Sequence, residues 1–406
     1  MVIGFSGYVA CYPYSLATCH DGLSYLATGL EVIVDAIFGT GLDRAIAGDL
    51  LNSIQQINQF NKPVLALDLP SGLHADTGKI LGAAIKATHT CTFITQKLGL
   101  YSFQGADIAG KIHYSSLFLE QMFLEQNAFN SQPPIAQNHP LTHWLQQRPA
   151  PLASQHTGQA GTVCLVGGNH HMMGAIQLSA RASLQTGAGL VKVITQPEHT
   201  IAITQQQPEL MCYDISQLTT QMQHANAIAL GPGLGQDDWA TQCYQTVLTS
   251  PKPKVMDADA LKLLALMPPQ PSQKQSNWIL TPHPGEAAHL LNTTSQDIQS
   301  DRITAIQSLH IKYGGVIVLK GNGTLIFDGQ RMEICLAGNP GMAVGGMGDT
   351  LTGVIATFVA QGRSLWNAAC LGVSLHAHAG DQLAQQKGQS GVLPSELASV
   401  MSLLLK

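Results

Sequence analysis

Short runs of apolar residues recur along the chain, and the segments between them repeat apolar side chains every three or four positions. In the first third, apolar runs at 32–34 and 64–67 flank a helical pattern over 50–61. Short runs that are apolar throughout are typical of buried parallel strands, and the helical segment between them completes a βαβ unit. The pattern therefore predicts a parallel sheet that binds ligands at the carboxyl ends of its strands.

The alternation resumes after residue 155. Apolar runs predict strands at Val163–Val166, Leu190–Ile194, Ala227–Leu230, Lys254–Met256, Trp278–Leu280 and Val316–Leu319. Helical patterns cover Gly174–Thr186, Gln236–Leu248, Thr350–Gln361 and Leu365–Gln385, of which the last two are apolar on most faces. Strands alternating with helices of this length predict one doubly wound α/β domain with buried final helices.

A segment at 131–155 separates the two α/β regions. It is rich in Pro, Gln and His and lacks apolar periodicity, which predicts a linker. The predicted organisation is a first domain at 1–130, a linker at 131–154 and a second domain at 155–406. The first thirty residues do not resemble a signal peptide, and we expect the first domain to lack its front part.

Composition narrows the classes of function. The chain has 406 residues, of which 45% are hydrophobic and only 11% are charged, with a formal net charge of −5. This balance offers no basic surface for nucleic acid or for a membrane, and no apolar run reaches membrane-spanning length. Eight scattered cysteines without a C-x-x-C pair indicate reduced thiols and a cytoplasmic protein.

The most informative segment is the glycine-rich run 338–350, which ends in Asp349 at the start of an apolar helix. Glycines allow a close approach to an anion, and the free amides of a helix start donate to phosphate oxygens. A carboxylate beside a phosphate is unfavourable unless it takes the proton from an attacking hydroxyl. The alternative is an ordinary glycine-rich turn in which Asp349 caps the helix.

Five further polar or glycine-rich segments follow predicted strands, at Val166–Asn169, Leu230–Gly235, Asp257–Leu261, Thr281–Glu286 and Leu319–Thr324. In the third, we expect one acid to bind a hydroxyl and the other to cap the helix. In the fourth, His283 lies between prolines and is a candidate for ligand contact, while Glu286 is a candidate for Mg²⁺-bound water or capping. In the fifth, Lys320 can offset phosphate charge.

These five segments and the run 338–350, taken in their order along the chain, resemble the ADP-dependent NAD(P)H-hydrate dehydratase family over residues 155–406. The resemblance implies a ribokinase-like fold, and it implies that Ala175, Gly233 and His283 line the site of the hydrated nicotinamide. It assigns the adenine nucleotide to Lys320, Gly321, Asn322, Gly323, Thr324 and Gly348. Asp349 would contact the reacting hydroxyl. The family's His-Lys-Gly entry motif is His156-Thr157-Gly158 in this chain, which predicts weaker substrate binding.

The first domain resembles the Rossmann-like NAD(P)H-hydrate epimerase family at 34–42 and 67–73. By that resemblance Asp35 and Ser71 would coordinate K⁺, and Asp68 would act at the epimerised carbon. The substrate would contact the loop 39–45, which includes Gly39, Thr40, Gly41 and Leu42. The family's Asn-Asn-Gly-Gly-Asp-Gly loop is absent from the sequence, so we expect impaired epimerase activity.

Together the resemblances imply ADP-dependent dehydration of the S epimer of hydrated NADH and NADPH, with Mg²⁺, and with K⁺ in the epimerase-like part. They also imply a homo-oligomer. Two alternatives remain at this point. One is an ATP-dependent kinase of a small hydroxylated metabolite, since Gly-x-Gly-Asp also suits kinases, and the other is a non-catalytic nucleotide-binding protein.

Overall fold

A computed structural model describes residues 32–117, 119, 135–147, 160–268 and 276–406, together with two short strands at 3–4 and 9–10. The chain forms two compact units. Unit 1 comprises 1–135 and 299–301, and unit 2 comprises 136–298 and 302–406. The motif His156-Thr157-Gly158 lies outside the described residues.

Unit 1 contains a short antiparallel pair and a parallel sheet of four strands in the order β3-β4-β5-β6. The strands are β1 (Ile3–Gly4), β2 (Val9–Ala10), β3 (Ile33–Asp35), β4 (Val64–Leu67), β5 (His89–Phe93) and β6 (Lys111–Ser115). The helices are α1 (Gly48–Gln59) and α2 (Gly105–Ile108). Helix α1 follows β3 and precedes its parallel neighbour β4, which confirms the predicted βαβ unit. It buries Ile54 and Ile57, spaced for one helical face, against Ile33 and Val64 of these strands.

Unit 2 is built on nine strands in the order β15-β14-β13-β12-β11-β10-β7-β8-β9. They are β7 (Thr162–Val166), β8 (Leu190–Ile194), β9 (Leu210–Tyr213), β10 (Ala227–Leu230), β11 (Lys254–Met256), β12 (Trp278–Leu280), β13 (Val316–Leu319), β14 (Thr324–Phe327) and β15 (Met332–Cys335). All neighbours are parallel except β14, which is antiparallel to both β13 and β15. The doubly wound α/β class is therefore confirmed, with an antiparallel edge that the sequence did not indicate.

Twelve helices occur in the described part of unit 2. They are α3 (Leu141–Gln146), α4 (Met173–Gln185), α5 (Thr200–Gln206), α6 (Leu218–Gln223), α7 (Asp238–Leu248), α8 (Asp259–Leu266), α9 (Pro284–Leu291), α10 (Ser295–Ser300), α11 (Arg302–Tyr313), α12 (Met347–Ala360), α13 (Leu365–Lys387) and α14 (Pro394–Leu404). Helices α12 and α13 are buried along most of their length, as predicted. Close packing with α4 requires Gly353, because a Cβ there would lie 2.1 Å from the Ser179 carbonyl oxygen.

The strand order reverses between β7 and β10, where the chain turns from one half of the sheet to the other. The loops after these two strands are joined by backbone hydrogen bonds. Gly168 donates to the Pro232 carbonyl at 2.9 Å, and Asn169 donates to the Gly233 carbonyl at 2.7 Å. Ligands of doubly wound proteins bind at such a reversal, so the fold places the glycine-rich motifs at the expected edge.

Part of the segment predicted as a linker packs onto unit 2. Leu141 and Trp144 of α3 are buried in the main core, and the Gln137 backbone bonds Met332 and Ile334 of the edge strand β15. Two apolar side chains were too few to show a helical period in the sequence. No helix among the described residues is long and apolar enough to cross a membrane.

Candidate active site

Helix α12 begins at Met347, so Asp349 lies in its first turn, as the glycine-rich pattern predicts. The N-cap is Gly346, whose φ is 100°, and no side chain caps the helix. The Met347 amide donates to the Val344 carbonyl at 3.4 Å, but the next amides of the first turn have no side-chain acceptor and are available to an anion, which the helix dipole also favours. The carbonyl of Asp349 accepts a hydrogen bond from Ser179 Oγ at 2.6 Å, which ties this turn to α4.

A cavity of about 470 Å³ lies beside this helix start. Five of the six residues predicted to bind the nucleotide line it: Lys320, Gly321, Asn322, Thr324 and Gly348. Its other walls come from the loop 337–343 and from Leu351 of α12 and His376 of α13. The Asp381 carboxylate holds that loop, since it accepts from the amide of Gly338 and from Asn339 Nδ2, each at 2.9 Å.

The loop 320–324 is shaped from behind by Arg302 on α11. Its guanidinium is buried and donates to the carbonyls of Leu319, Lys320 and Gly323 at 3.0–3.4 Å. Burial lowers the pKa of Arg302 to about 10. Gly321 needs both its φ of 137° and its lack of a side chain, because a Cβ would lie 2.9 Å from Arg302 Nη1. The Thr324 hydroxyl donates to the Gly321 carbonyl at 2.9 Å and closes the turn.

A buried ion pair joins the ends of β11 and β13. Lys320 Nζ lies 2.6 Å from Asp257 Oδ1, and the Asp257 carboxylate also accepts from the hydroxyls of Thr281 and Thr352, each at 2.9 Å. Burial alone would raise the pKa of Asp257, but the charge of Lys320 and these hydrogen bonds outweigh it and lower the pKa. For Lys320 the opposing effects act in reverse, so its pKa is raised. Both side chains are therefore charged at neutral pH.

The two acids that follow β11 differ from what was expected. Asp257 is fully engaged inside the unit, and Asp259 is the first residue of α8, whose start has no side-chain cap. The expectation that one acid caps this helix is wrong. Instead, Asp259 accepts from the Gly235 amide at 2.9 Å and joins the loops after β10 and β11. Ala258 between them has a φ of 50°, which is unfavourable for alanine.

His283 and Glu286 form a capping box at the start of α9. His283 Nδ1 accepts from the amides of Gly285 and Glu286, and Glu286 Oε2 accepts from the His283 amide at 2.8 Å. Glu286 Oε2 is also 3.7 Å from Lys320 Nζ. Burial raises the pKa of Glu286 to about 7, since the charge of Lys320 only partly offsets it.

At this position a divalent cation would find one carboxylate, that of Glu286, which also accepts from the His283 amide. No group of three or more His, Cys, Asp or Glu side chains in the described part of the chain forms a metal cage. Mg²⁺ generally uses one or two protein carboxylates together with phosphate oxygens and water. A buried carboxylate with a raised pKa, such as Glu286, is suited to that role because a cation would offset its poor solvation.

Two of the three residues predicted at the nicotinamide site lie together. Gly233 has a φ of 60°, and a Cβ there would be 3.1 Å from the Ala175 Cβ and 2.5 Å from the Met172 carbonyl oxygen. A side chain at 233 would therefore collide with the start of α4. The third residue, His283, projects from the loop after β12 with 54% of its side chain exposed.

The pKa of Asp349 is raised to about 6. Burial is the largest cause, the negative charge of Asp257 adds to it, and the positive charge of Lys320 opposes it. A base with this pKa is ionised at neutral pH and still holds a proton well enough to accept one during catalysis. The environment of Asp349 therefore suits general-base chemistry.

In unit 1, the predicted K⁺ residues are in direct contact. Ser71 donates from its hydroxyl to Asp35 Oδ1 at 2.6 Å and from its amide to Asp35 Oδ2 at 2.7 Å. The amide of Phe38 donates to the Ser71 hydroxyl at 2.9 Å. Burial raises the pKa of Asp35 despite these hydrogen bonds, and a carboxylate in that condition is suited to a nearby cation.

Asp68, the predicted acid of the epimerase-like part, lies next to Gly39. A Cβ at Gly39 would be 3.5 Å from Asp68 Oδ2, and Asp68 has a φ of 71°. The Lys97 ammonium forms an ion pair with Asp68 and also donates to the Phe93 carbonyl at 2.7 Å. Thr40 and Gly41 are exposed, whereas the side chain of Leu42 is buried in the core. The Leu42 side chain is therefore not available to a substrate.

Comparison with known proteins places this chain. The profile of the NAD(P)H-hydrate dehydratase family matches residues 163–402, which is more than half of the chain. The chain belongs to the NAD(P)H-hydrate dehydratase family. A second profile, that of the YjeF-related protein N-terminus, matches residues 14–99 in unit 1. The observed edge of unit 2 with Asp349, Lys320 and Glu286 is thus the edge on which the family's motifs lie.

Curated relatives combine both parts. The bifunctional NAD(P)H-hydrate repair enzyme Nnr of Coxiella burnetii is 42% identical over 374 residues, which covers 90% of this chain and 74% of the relative. The Nnr enzyme of Escherichia coli is 40% identical over 375 residues, covering 92% and 71%.

Solved structures share the fold of unit 2. A ribokinase-like superfamily protein of Enterococcus faecalis has a TM-score of 0.61 at 30% identity, covering 67% of this chain and 95% of that chain. The ADP/ATP-dependent NAD(P)H-hydrate dehydratase of Bacillus subtilis, co-crystallised with ATP and Mg²⁺, has a TM-score of 0.58 at 27% identity and covers 66% and 98%. The ribokinase-like fold predicted for the second domain is confirmed.

Several residues of this dehydratase-family site escaped the sequence reasoning. Arg302 lies on a segment without a motif, and His376 and Leu351 lie in helices whose sequence is mostly apolar. In unit 1, Lys97, the partner of Asp68, also lies on a segment without a motif. Nothing local in the sequence marks these residues, because each reaches its contacts only when distant segments of the chain come together in the fold. Asp257 was noticed as an acid after a strand, but its pairing with Lys320, 63 positions away, was not.

Proposed function

We propose that the chain catalyses the ADP-dependent dehydration of the S epimer of hydrated NADH and NADPH, restoring the reduced cofactor. One observation carries the proposal. Asp349 lies in the first turn of an uncapped helix, beside a cavity lined by Lys320 and Gly348, within a chain of the dehydratase family. A carboxylate with this environment suits the removal of a proton from a hydroxyl next to a phosphate.

The reaction proceeds in two stages. Asp349 takes the proton from the hydroxyl on carbon 6 of the hydrated ring, and that oxygen attacks the terminal phosphorus of ADP in line. The bond from this phosphorus to the bridging oxygen breaks, and AMP leaves. The lone pair of the ring nitrogen then expels phosphate from carbon 6 while the neighbouring carbon loses a proton. Phosphorylation therefore replaces hydroxide, a poor leaving group, by phosphate, a good one.

The remaining side chains support phosphoryl transfer. Amides of α12 and the Lys320 ammonium face the charge that develops on the transferred group. Glu286 would hold Mg²⁺, which would supply positive charge to the phosphates. Ala175, Gly233 and His283 contact the hydrated nicotinamide, and Gly233 allows the loop after β10 to pack closely against the start of α4.

For unit 1 we propose that Asp35 and Ser71 hold K⁺ and that the loop 39–45 and Asp68 contact the hydrate. The hydrogen bonds between Ser71 and Asp35, and the nearness of Gly39 to the Asp68 carboxylate, support this assignment. The resemblance further supports a cytoplasmic homo-oligomer, which light scattering and fractionation test. Reduced epimerase activity stays a prediction.

The test uses the purified full chain with mixed hydrate epimers, Mg²⁺ and either ADP or ATP, followed by nicotinamide absorbance. The expected result is recovery of NADH together with AMP and phosphate, in equal amounts, when ADP is supplied. Recovery of one epimer alone indicates dehydratase without epimerase. A stable phosphorylated product, or no change in the hydrate with ADP, contradicts the proposal.

A further inference from the structure

The Asp257–Lys320 ion pair is packed directly against the start of α12. A Cβ built on Gly348 would lie 3.1 Å from Asp257 Oδ2 and 3.1 Å from Lys320 Nζ. Gly348 has an ordinary helical backbone, so conformational freedom does not explain a glycine there. The space that a side chain of residue 348 would need is instead occupied by the Asp257 carboxylate and the Lys320 ammonium. The ammonium therefore sits one residue from Asp349, beside the amides that would receive a phosphate.

Asp257 is itself fixed from three elements. Its carboxylate receives Lys320 from the end of β13, the Thr281 hydroxyl from the end of β12 and the Thr352 hydroxyl from α12. Only 1% of the residue is exposed, which leaves it out of reach of solvent. The Lys320 side chain is a flexible four-carbon stem, and a buried partner of this kind restricts it to one arrangement.

We propose that Asp257 is a positioning residue, which fixes the Lys320 ammonium beneath Gly348 so that it meets the terminal phosphate of the diphosphate. The inference deepens the proposed function and rests on it. Asp257 itself makes no contact with the nucleotide. Gly348 leaves room for the ion pair, because a Cβ there would press on the ammonium at 3.1 Å.

Repulsion between Asp257 and ADP would change ADP affinity in the opposite direction from the positioning of Lys320. If Asp257 acted only as a negative charge near the site, its removal would reduce repulsion and strengthen ADP binding. If it positions Lys320, its removal weakens ADP binding, and the loss is confined to the terminal phosphate. AMP lacks that phosphate and serves as the reference ligand.

The experiment measures binding of ADP and of AMP to the full chain by titration calorimetry, without turnover. For Asp257→Asn we expect about tenfold weaker ADP binding with AMP binding unchanged within about twofold, as for loss of one charged hydrogen bond. Unchanged or tighter ADP binding by a folded variant overturns the proposal. Equal weakening of both nucleotides also overturns it, because that is the result of a general disturbance.

A second pair of variants remains informative where Asp257→Asn does not fold. Thr352→Val removes the hydroxyl that holds Asp257 and keeps the volume of the side chain. Thr357→Val, on the same helix, removes a hydroxyl that bonds only backbone carbonyls of Ser183 and Gly353. We expect ADP affinity to fall severalfold for Thr352→Val and to stay unchanged for Thr357→Val. Equal effects of the two substitutions contradict the proposal.

The double variant Asp257→Asn with Gly348→Ala completes the test. Both single changes act on the same ammonium. The loss of ADP affinity in the double variant should therefore be smaller than the product of the two single fold-changes. Multiplicative effects would show that Gly348 acts separately from the pair. Failure of the wild-type chain to recover NADH with ADP would refute the proposed function instead, and the binding comparison stays separate from that result.

Discussion

Burial and the nearby Asp257 charge disfavour the ionised form of Asp349 and make its carboxylate a stronger base. Because it takes the hydroxyl proton in the proposed reaction, Asp349→Asn should lower kcat by about 100-fold or more, in the range of general-base contributions. ADP binding should persist, since the amides and Lys320 are unchanged. The matched control is Asp328→Asn, which removes a carboxylate paired with Arg331 elsewhere in unit 2. Turnover within a few-fold of wild type would remove Asp349 as the base.

The pH profile offers a second residue-level prediction. Asp349 accepts a proton only when ionised, and its pKa is raised to about 6. The value of kcat/KM, which reports the free enzyme, should therefore fall as the pH drops below about 6 and level off above it. An ordinary exposed aspartate would keep activity down to about pH 4. A profile that is flat between pH 5 and 7 contradicts the assignment.

The same raised pKa has a consequence for folding. The folded chain binds the Asp349 proton more tightly than the unfolded chain, so this group's contribution to stability falls as the pH rises from about 4 to about 6 and stays low above that. Asp349→Asn should raise Tm at pH 7, by roughly 2–4 °C for each 1 kcal/mol recovered. The gain should shrink near pH 4. Thermal melts at both pH values check this.

Among elements, the α4–α12 packing is the most sensitive to a single added methyl group. Gly353→Ala places a Cβ 2.1 Å from the Ser179 carbonyl oxygen, and overpacking of this kind costs about 1–3 kcal/mol. The expected result is a lower Tm and reduced turnover, because Ser179 also bonds the Asp349 carbonyl. Gly174→Ala is the control, since nothing lies within 4 Å of a Cβ there. Equal melting temperatures of the two variants would contradict this.

The loop 337–343 depends on α13 through Asp381. Asp381→Ala removes the acceptor for the Gly338 amide and the Asn339 side chain, which line the cavity wall. We expect ADP affinity to fall about threefold to tenfold while Tm changes little, as the lost bonds lie at the surface. Asp214→Ala, which removes an exposed cap elsewhere, should leave ADP binding unaltered. Calorimetric titration compares the two.

Sequence reasoning located elements and motifs better than partnerships. The apolar runs predicted six central strands of unit 2 correctly, because strands buried on both faces need unbroken apolar sequence. They missed the edge strand β9 and also β14 and β15, whose antiparallel pairing depends on their neighbours. The motifs correctly predicted that Lys320, Gly348 and Asp349 lie at one edge of the sheet, because the carboxyl ends of parallel strands lie at the same edge. The Asp257–Lys320 and Asp68–Lys97 pairs could not be predicted, since nothing local in the sequence links them.

At the scale of the whole molecule, two units with separate cores should respond separately to ligands. ADP at 100 times its Kd stabilises the unit that binds it by about 2.7 kcal/mol. Calorimetric melts should therefore show one transition that moves upward with ADP and one that does not. Movement of both transitions by the same amount would contradict nucleotide binding confined to unit 2.

Potassium provides the complementary test. If K⁺ binds at Asp35 and Ser71, replacing Na⁺ by K⁺ at constant ionic strength should raise the transition that ADP leaves unmoved. Asp35→Asn should abolish this response, because the buried carboxylate that offsets the cation is lost. The control is Asp76→Asn, an exposed acid of the same unit. A K⁺ effect that survives Asp35→Asn contradicts the site.

The covering of β15 by the chain at 136–139 bears on solubility. A strand at the rim of a sheet presents unpaired amides and carbonyls, to which another copy can add and start aggregation. Here Gln137 occupies those groups on Met332 and Ile334, and the carboxylate of Glu333 is bonded to His139. A dehydratase fragment cut just after this stretch would expose a bare rim rich in apolar side chains. Fragments beginning at residue 135 should therefore stay dispersed at concentrations where fragments beginning at residue 140 precipitate.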